Sequence, residues 1–361
     1  MHYYHSLFVI NSILILAVGI QSQNSKGPGT SSCIFIGSRT VECGLSEVLI
    51  TDTPEKCTTV IYFAVYMDLK YNATNINSNS DFTLLDNMLK SGKRVMIYYV
   101  HETHEEWTVA LNCESSNGGN NSFDEIKALK GFLDEHSGIV GVILSGFQYG
   151  CDSEKISTFS ENSKKYLELI KNALPELIIG LDLRGRFLID QYIDPKIEKL
   201  NISFINSAMD FYVISLEFFN DCTANLRNIG SYPINDPNTK YTLDKLNDVL
   251  QEAGFPKEKI YFKFGTSPTS IDQSLTNCDV NNEKMCVQPQ IACDWCSDTQ
   301  LSYNEKGKFS ANNGAGFMVR YIDFDDPDNC CQCATPYPAF NAILDGFNKV
   351  ETKSCNLFNR L

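Results

Sequence analysis

The feature that most constrains this chain is a recurring unit, an amphipathic helix followed at once by a short apolar strand. Its clearest copy is residues 122–150, SFDEIKALKGFLDEHSGIVGVILSGFQYG. Phe123, Ile126, Leu129, Phe132 and Leu133 recur at spacings near three and four, which gives a helix one buried face. Ser122 and Glu125 have capping-box spacing and predict a helix start at Ser122. His136, Ser137 and Gly138 end the helix. Residues 139–144 then form an almost wholly apolar run, the signature of a strand covered on both faces in a parallel sheet. Gly146-Phe147-Gln148-Tyr149-Gly150 follows directly at its carboxyl end.

The unit recurs along the chain. Residues 33–37 and 57–65 read as the first two strands. Phe82, Leu85, Met88 and Leu89 mark a helix before a third strand at 95–100. Tyr166, Leu169, Ile170 and Ala173 precede a fifth strand at 177–183, and the sixth is 211–216. Leu243, Leu246, Val249 and Leu250 stripe a helix before 260–264. An eighth strand at 316–322 is closed by a helix carrying Phe340, Ile343, Leu344 and Phe347. Eight strands alternating with helices predict a (β/α)8 TIM barrel of the α/β class, with an open doubly wound sheet as the alternative. Between about 266 and 315 the repeat breaks into a short Cys-rich insertion holding Cys278, Cys286, Cys293 and Cys296. Disulfides would have to replace the core that it cannot build.

Residues 1–22 read as a signal peptide. Residues 7–20 are apolar, short for a membrane span, and followed by Gln21-Ser22-Gln23, with cleavage after Gly19 or after Ser22 as alternatives. A loose Ser/Gly-rich arm, 23–32, comes next. All fourteen cysteines lie beyond the signal peptide, and such a set fits an oxidised, secreted protein whose pairing sequence alone does not give. Asn72, Asn120 and Asn201 head glycosylation sequons. The net charge of −14, with no basic block, argues against nucleic acid and anionic membrane surfaces as partners. No cofactor motif is present.

The chain resembles glycoside hydrolase family 18, the chitinases and their non-catalytic relatives. Cys57-Thr-Thr-Val-Ile-Tyr-Phe is similar to that family's second strand, whose cysteine pairs with one on the first, so the resemblance implies a Cys33–Cys57 bond. Residues 317–326, FMVRYIDFDD, resemble the family's M-V-W-S-L-D-x-D-D, and Tyr337-Pro338 follow as they do there. The departures fall on the catalytic positions. The family's D-G-x-D-x-D-x-E-Y reads here as Val140-Gly141 with Ile143 and Ser145 at the next acidic positions. Gln148 takes the place of the glutamate if one extra residue is allowed, and Phe147 takes it otherwise. Arg320 stands where an indole floors the sugar site. Ser215-Leu216-Glu217-Phe218 replaces the M-x-Y-D that supports the substrate's acetamido group, the nucleophile in this family. Tyr98-Tyr99-Val100-His101 replaces a glycine pair.

With no ionisable group left in the motif, the resemblance implies a secreted, non-catalytic chitinase-like protein that binds a glycan or an extracellular protein. The candidate cleft residues are Tyr98, Tyr99, His101, Glu102, Tyr149, Asp182, Glu217 and Arg320. A family 18 hydrolase with a relocated acid and a structural or storage protein are the rival readings. His101-Glu102-Thr103-His104 is one residue short of the helical zinc motif and reads as a solvated loop in preference to a metal or acid/base site. Cys293-x-x-Cys296 and Cys330-Cys331-x-Cys333 read as disulfide partners in preference to zinc ligands. Asp325-Asp326 reads as a structural loop element, not a metal site.

Overall fold

The computed structural model describes residues 26–37, 43–75, 81–101, 103–111, 121–146, 156–194, 201–227, 229–272, 274–275, 279, 281–287, 295–353, 355 and 357–358. The signal-peptide reading, Glu102, Asn120 and the Phe147-Gln148-Tyr149 stretch lie outside them. In chain order, β1 (Ser31–Phe35) and β2 (Thr59–Met67) are followed by a short strand β3 (Ala73–Asn75), helix α1 (Thr83–Lys90), β4 (Val95–Val100), helices α2 (His104–Ala110) and α3 (Asn121–Glu135), and β5 (Ile139–Ser145). Next come α4 (Ile156–Ala173), β6 (Ile178–Arg184), α5 (Gly185–Ile193), α6 (Ile202–Ile205) and β7 (Phe211–Ser215). The last third holds α7 (Leu243–Glu252), β8 (Ile260–Gly265), β9 (Thr269–Ser270), α8 (Asn282–Val287), β10 (Trp295–Cys296), α9 (Gln300–Asn313), β11 (Gly316–Arg320) and α10 (Pro338–Phe347).

Eight of these strands are parallel neighbours in the order β1-β11-β8-β7-β6-β5-β4-β2, and β1 also pairs with β2, which closes the ring. The result is a (β/α)8 barrel, with β3 added antiparallel to β2. Alternation along the strands sorts side chains into two layers. Ile34, Ile61, Met96, Ile143, Val213 and Met318 fill the barrel interior. Their neighbours, such as Ile97, Val142, Leu181, Ile214 and Phe262, pack outward against the helices.

Three expectations need correction. Helix α3 starts at Asn121, and Ser122 lies inside it, its hydroxyl donating to the Ala110 carbonyl at 2.9 Å while Glu125 turns to Tyr99 and His101. The capping-box spacing therefore serves tertiary contacts. The arm expected to be loose as far as Ser32 is packed from Gly27 onward. The Pro28 carbonyl accepts from Ser32, Thr58 and Thr59, and Thr30 continues the ladder to Phe317. The insertion expected to reach 315 stops before Thr299, the N-cap of α9. That helix escaped the reading of periodicity because it buries Gln300, Asn304, Lys306, Gly307 and Ser310 beside Tyr303 and Phe309.

Helix α9 packs on α10 at close range through two glycines. A methyl group at Gly346 would collide with the Asn304 carbonyl, and one at Gly307 with the Ile343 carbonyl. Backbone on the opposing side cannot rotate away. Gly346→Ala is expected to destabilise the protein by about 2–3 kcal/mol, the usual cost of overpacking a tight core. Gly131→Ala, in open space on α3, is expected to stabilise it by about 0.5–1 kcal/mol through helix propensity. Urea denaturation of both variants checks the contrast.

Candidate functional site

The carboxyl end of a parallel barrel is where side chains from several strands converge. Here the interior changes from apolar to polar at that end. On β4, β6 and β8 the inward positions become Tyr98, Asp182 and Lys263. The Lys263 ammonium lies 2.5 Å from Asp182 Oδ2, and the Tyr98 hydroxyl donates to the same oxygen at 2.9 Å. Lys263 and Asp182 are each about 5% exposed. Burial pushes the Tyr98 hydroxyl well above its ordinary pKa, with the Asp182 charge adding to the effect. Lys263 and Tyr98 thus both bond to the one oxygen, Asp182 Oδ2.

A second pair stands at the rim. The Arg320 guanidinium, at the end of β11, is paired with the Glu217 carboxylate just beyond β7. It also donates to the Tyr321 hydroxyl at 2.8 Å and lies 4.4 Å over that ring. Lys263 and the Arg320–Glu217 pair border a cavity of about 560 Å³, lined also by Phe218, Tyr232 and Tyr321 among others. Phe218 is 71% exposed at its edge and has a positive φ of 52°. An aromatic side chain in the left-handed region carries strain that the local sequence does not relieve.

The cavity wall is built from the segments after β7 and β8. Asn220 donates to the Ser231 and Tyr241 carbonyls at 2.8 and 2.9 Å and accepts from Thr239, which fixes the β7 loop. Cys222–Cys296 ties that loop to β10, and β10 pairs with β9. Behind it, fully buried Lys306 pairs with Asp298 and sits 4.2 Å over the Tyr232 ring. Burial drives the Lys306 ammonium well below its ordinary pKa.

The structure brings Tyr98, Asp182, Glu217 and Arg320 to one end of the barrel and leaves two other candidates out. Tyr99 and His101 continue the outward-facing series Val95, Ile97, so they enter the layer between barrel and helices. There the Tyr99 hydroxyl donates to Glu125, and His101 Nε2 lies 2.9 Å from the same carboxylate. His101 is 3% exposed and packs edge-on against Trp107. The solvated-loop reading of His101 is thus wrong. The helix signal in that stretch belongs instead to Thr103 and Glu106, which form the capping box of α2. Trp107 donates to the Ser145 carbonyl at 2.9 Å, so this cluster holds the end of β5 from behind.

Of the altered motif, Ile143 is fully buried in the barrel interior and Ser145 ends β5. Cys33 is bonded to Cys57, Cys286 to Cys331, and Cys333 to Cys355. Asp325 accepts the amides of Ala339 and Phe340 at the start of α10, and Asp326 those of Cys330 and Cys331. Both carboxylates are occupied as loop and helix-end acceptors. Asn72 and Asn201 are exposed. The sequence reading missed Lys263, although a lysine inside the apolar run Ile-Tyr-Phe-Lys-Phe was a visible signal of a buried ion pair.

The closed (β/α)8 barrel is a fold this chain shares with solved chitinases and chitinase-like proteins. No protein-family model and no curated protein sequence matches this chain. Among solved structures, a mutant of the second catalytic domain of the Ostrinia furnacalis Group II chitinase, in complex with a chitooligosaccharide, is 14% identical. The match covers 92% of this chain and 100% of that one, with a TM-score of 0.68. Human YKL-39, described as a pseudo-chitinase with retained chitooligosaccharide binding, is 14% identical over 89% of this chain and 100% of its own, with a TM-score of 0.66. The Trichuris suis immunomodulatory active chitinase TsES1 is 13% identical over 88% and 100%, with a TM-score of 0.67. Identities this low establish a shared fold.

The buried pair yields a stability prediction. Lys263→Met strands the Asp182 charge and is expected to cost about 3–5 kcal/mol, whereas the double variant Lys263→Met/Asp182→Leu recovers most of that loss. Chemical denaturation of the two single variants and the double variant reads the coupling directly.

Proposed function

We propose that this chain is a secreted, non-catalytic chitinase-like protein that binds a glycan through the cavity at the carboxyl end of its barrel. The observation that carries the reading is the Arg320–Glu217 pair. By the resemblance, Arg320 stands at the position of the indole that floors the sugar and Glu217 in the segment that replaces the acetamido support, and the two side chains are paired. A guanidinium committed to a carboxylate offers neither the broad apolar face nor the free acid that chemistry requires. Val140, Ile143 and Ser145 agree with it, since by the resemblance they stand where the family's motif has acids. The disulfides Cys33–Cys57, Cys222–Cys296, Cys286–Cys331 and Cys333–Cys355 among the described residues fit an extracellular protein. YKL-39, which shares the fold, is described as a pseudo-chitinase with retained chitooligosaccharide binding properties. An extracellular protein is the other partner class that such a surface serves.

Purified secreted protein is expected to show no turnover of a fluorogenic chitooligosaccharide above a boiled control, because neither Gln148 nor Phe147 donates a proton to a leaving oxygen. Gln148→Glu is expected to stay inactive. The acetamido support and the sugar floor would still be missing, each costing on the order of 2–4 kcal/mol in the transition state. Turnover by the parent protein returns the hydrolase reading.

Phe218 supplies the binding test. As an exposed ring on the cavity edge it offers a stacking face, worth about 1 kcal/mol to a sugar. Phe218→Gly is expected to weaken binding of chitotetraose by about fivefold to tenfold in calorimetry. The same variant is expected to keep or raise the melting temperature, because relief of about 1 kcal/mol of left-handed strain offsets the added entropy of the unfolded chain.

A further inference from the structure

We propose that Asn72 carries an N-linked glycan whose first sugars lie along a groove between the β2–β3 hairpin and helices α1 and α3. The groove has a volume of about 730 Å³, and both sequon residues, Asn72 and Thr74, line it. Its floor is aromatic. Phe82 packs edge-on against Phe132 and His136 at 5.1 and 5.2 Å, and Asp86 holds the His136 ring through Nδ1 at 3.0 Å. On the α3 side Gly131 leaves open space, with no atom within 4 Å of where a Cβ would stand. Phe82 is partly buried beside the buried Phe132 and His136, and such a ring next to polar edges suits the apolar face and hydroxyl rim of an N-acetylhexosamine.

The turn between β2 and β3 presents the acceptor. Asp68 N–H donates to the Asn72 carbonyl, and Tyr71 N–H donates to the Asp68 carbonyl. The Asp68 carboxylate accepts the backbone amides of Lys70 and Asn72, both at 2.8 Å. Tyr71 completes the turn with a φ of 64°. Asn72 is exposed, and its Nδ2 donates to Asp68 Oδ2 at 3.0 Å. In the transfer, Nδ2 forms a bond to the anomeric carbon of a polyprenyl-pyrophosphate-linked oligosaccharide. The pyrophosphate leaves with the electron pair of the broken C–O bond, and one Nδ2 proton is released. The remaining N–H still donates to Asp68, so the linkage keeps the orientation that the turn gives it. Tethered at the groove's edge, the sugars reach the rings at high effective concentration, and weak contacts suffice to hold them.

The inference rests on the secretory part of the proposed function, and the experiment separates the two. The full chain is expressed in eukaryotic cells and recovered from the medium, and peptide mass spectrometry reads occupancy at Asn72. Endoglycosidase release from native protein is then timed for the parent and for Gly131→Trp, which fills the groove. Asn72 is expected to be occupied, with release from the parent at least fivefold slower than from the variant. Gly131→Gln serves the same purpose if the tryptophan variant is not secreted. A secreted protein with Asn72 bare overturns the modification and leaves the secretory reading standing. Equal release rates overturn the docking. Retention in the cytosol, with no glycan, overturns the secretory reading and this inference with it.

Discussion

Closure of the sheet through β1 is the constraint on which the rest of the structure depends. β1 has five residues and must hydrogen-bond on both sides, to β2 from Ser32 to Phe35 and to β11 from Ser31 to Ile34. Without it the sheet would expose two edges of apolar strand. The chain reinforces this short strand at both ends. Pro28 and Thr30 bond to its neighbours before it begins, Cys33–Cys57 cross-links it to the start of β2, and Asp323 accepts the amides of Ile36 and Gly37 after it ends. A closed ring then has an inside to fill, and the inward positions do so with apolar side chains at one end and charged ones at the other.

The barrel was legible in the sequence because its strands are apolar on both faces and its helices striped, and those patterns survive without any knowledge of contacts. All eight barrel strands fell within two residues of their observed bounds; in the last, residues 321–322 leave the sheet for a 3-10 turn. What periodicity misses is polar burial. Helix α9 looked like part of an insertion because Asn304, Lys306 and Ser310 face the core. His101 reads as a loop residue because His101-Glu102-Thr103-His104 falls one residue short of the helical zinc motif. Strand parity from Val95 through Ile97 and Tyr99 would have placed it outward, toward a helix that carries Glu125. Lys263 and Asp182 were each visible as a lone charge within an apolar strand. That they meet depends on barrel radius and register, which no local pattern encodes.

The electrostatics of the cavity restrict what fits it. Each cation already has an acid within contact distance: Lys263 has Asp182, and Arg320 has Glu217. An anionic ligand would have to compete with those carboxylates for the same donors, and Asp221 and Asp272 also line the cavity. With a chain charge of −14 behind them, long-range steering works against an anion as well. A neutral polyhydroxylated ligand meets none of these costs. It can hydrogen-bond to the outer oxygens of paired carboxylates without separating the pairs, and it can use Phe218 and Tyr321 as apolar surface.

Preorganisation decides whether such modest contacts amount to binding, since each loop that must be ordered on association subtracts from affinity. In this wall the ordering has been done on folding. Asn220 uses both its donor and its acceptor capacity on the loop that carries Phe218. Cys222–Cys296 fastens that loop to the segment after β8, and the Lys306–Asp298 pair with Tyr232 and Tyr303 packs behind it. Gly230, at a φ of 72°, lies so close to Asp298 that any side chain there would displace the carboxylate. Among the described residues, a wall tied down by a disulfide, a buried lysine–aspartate pair and the hydrogen bonds of the Asn220 amide has little left to order on association. That rigidity limits induced fit, and for a site whose proposed task ends at binding it conserves affinity that an ordering step would otherwise consume.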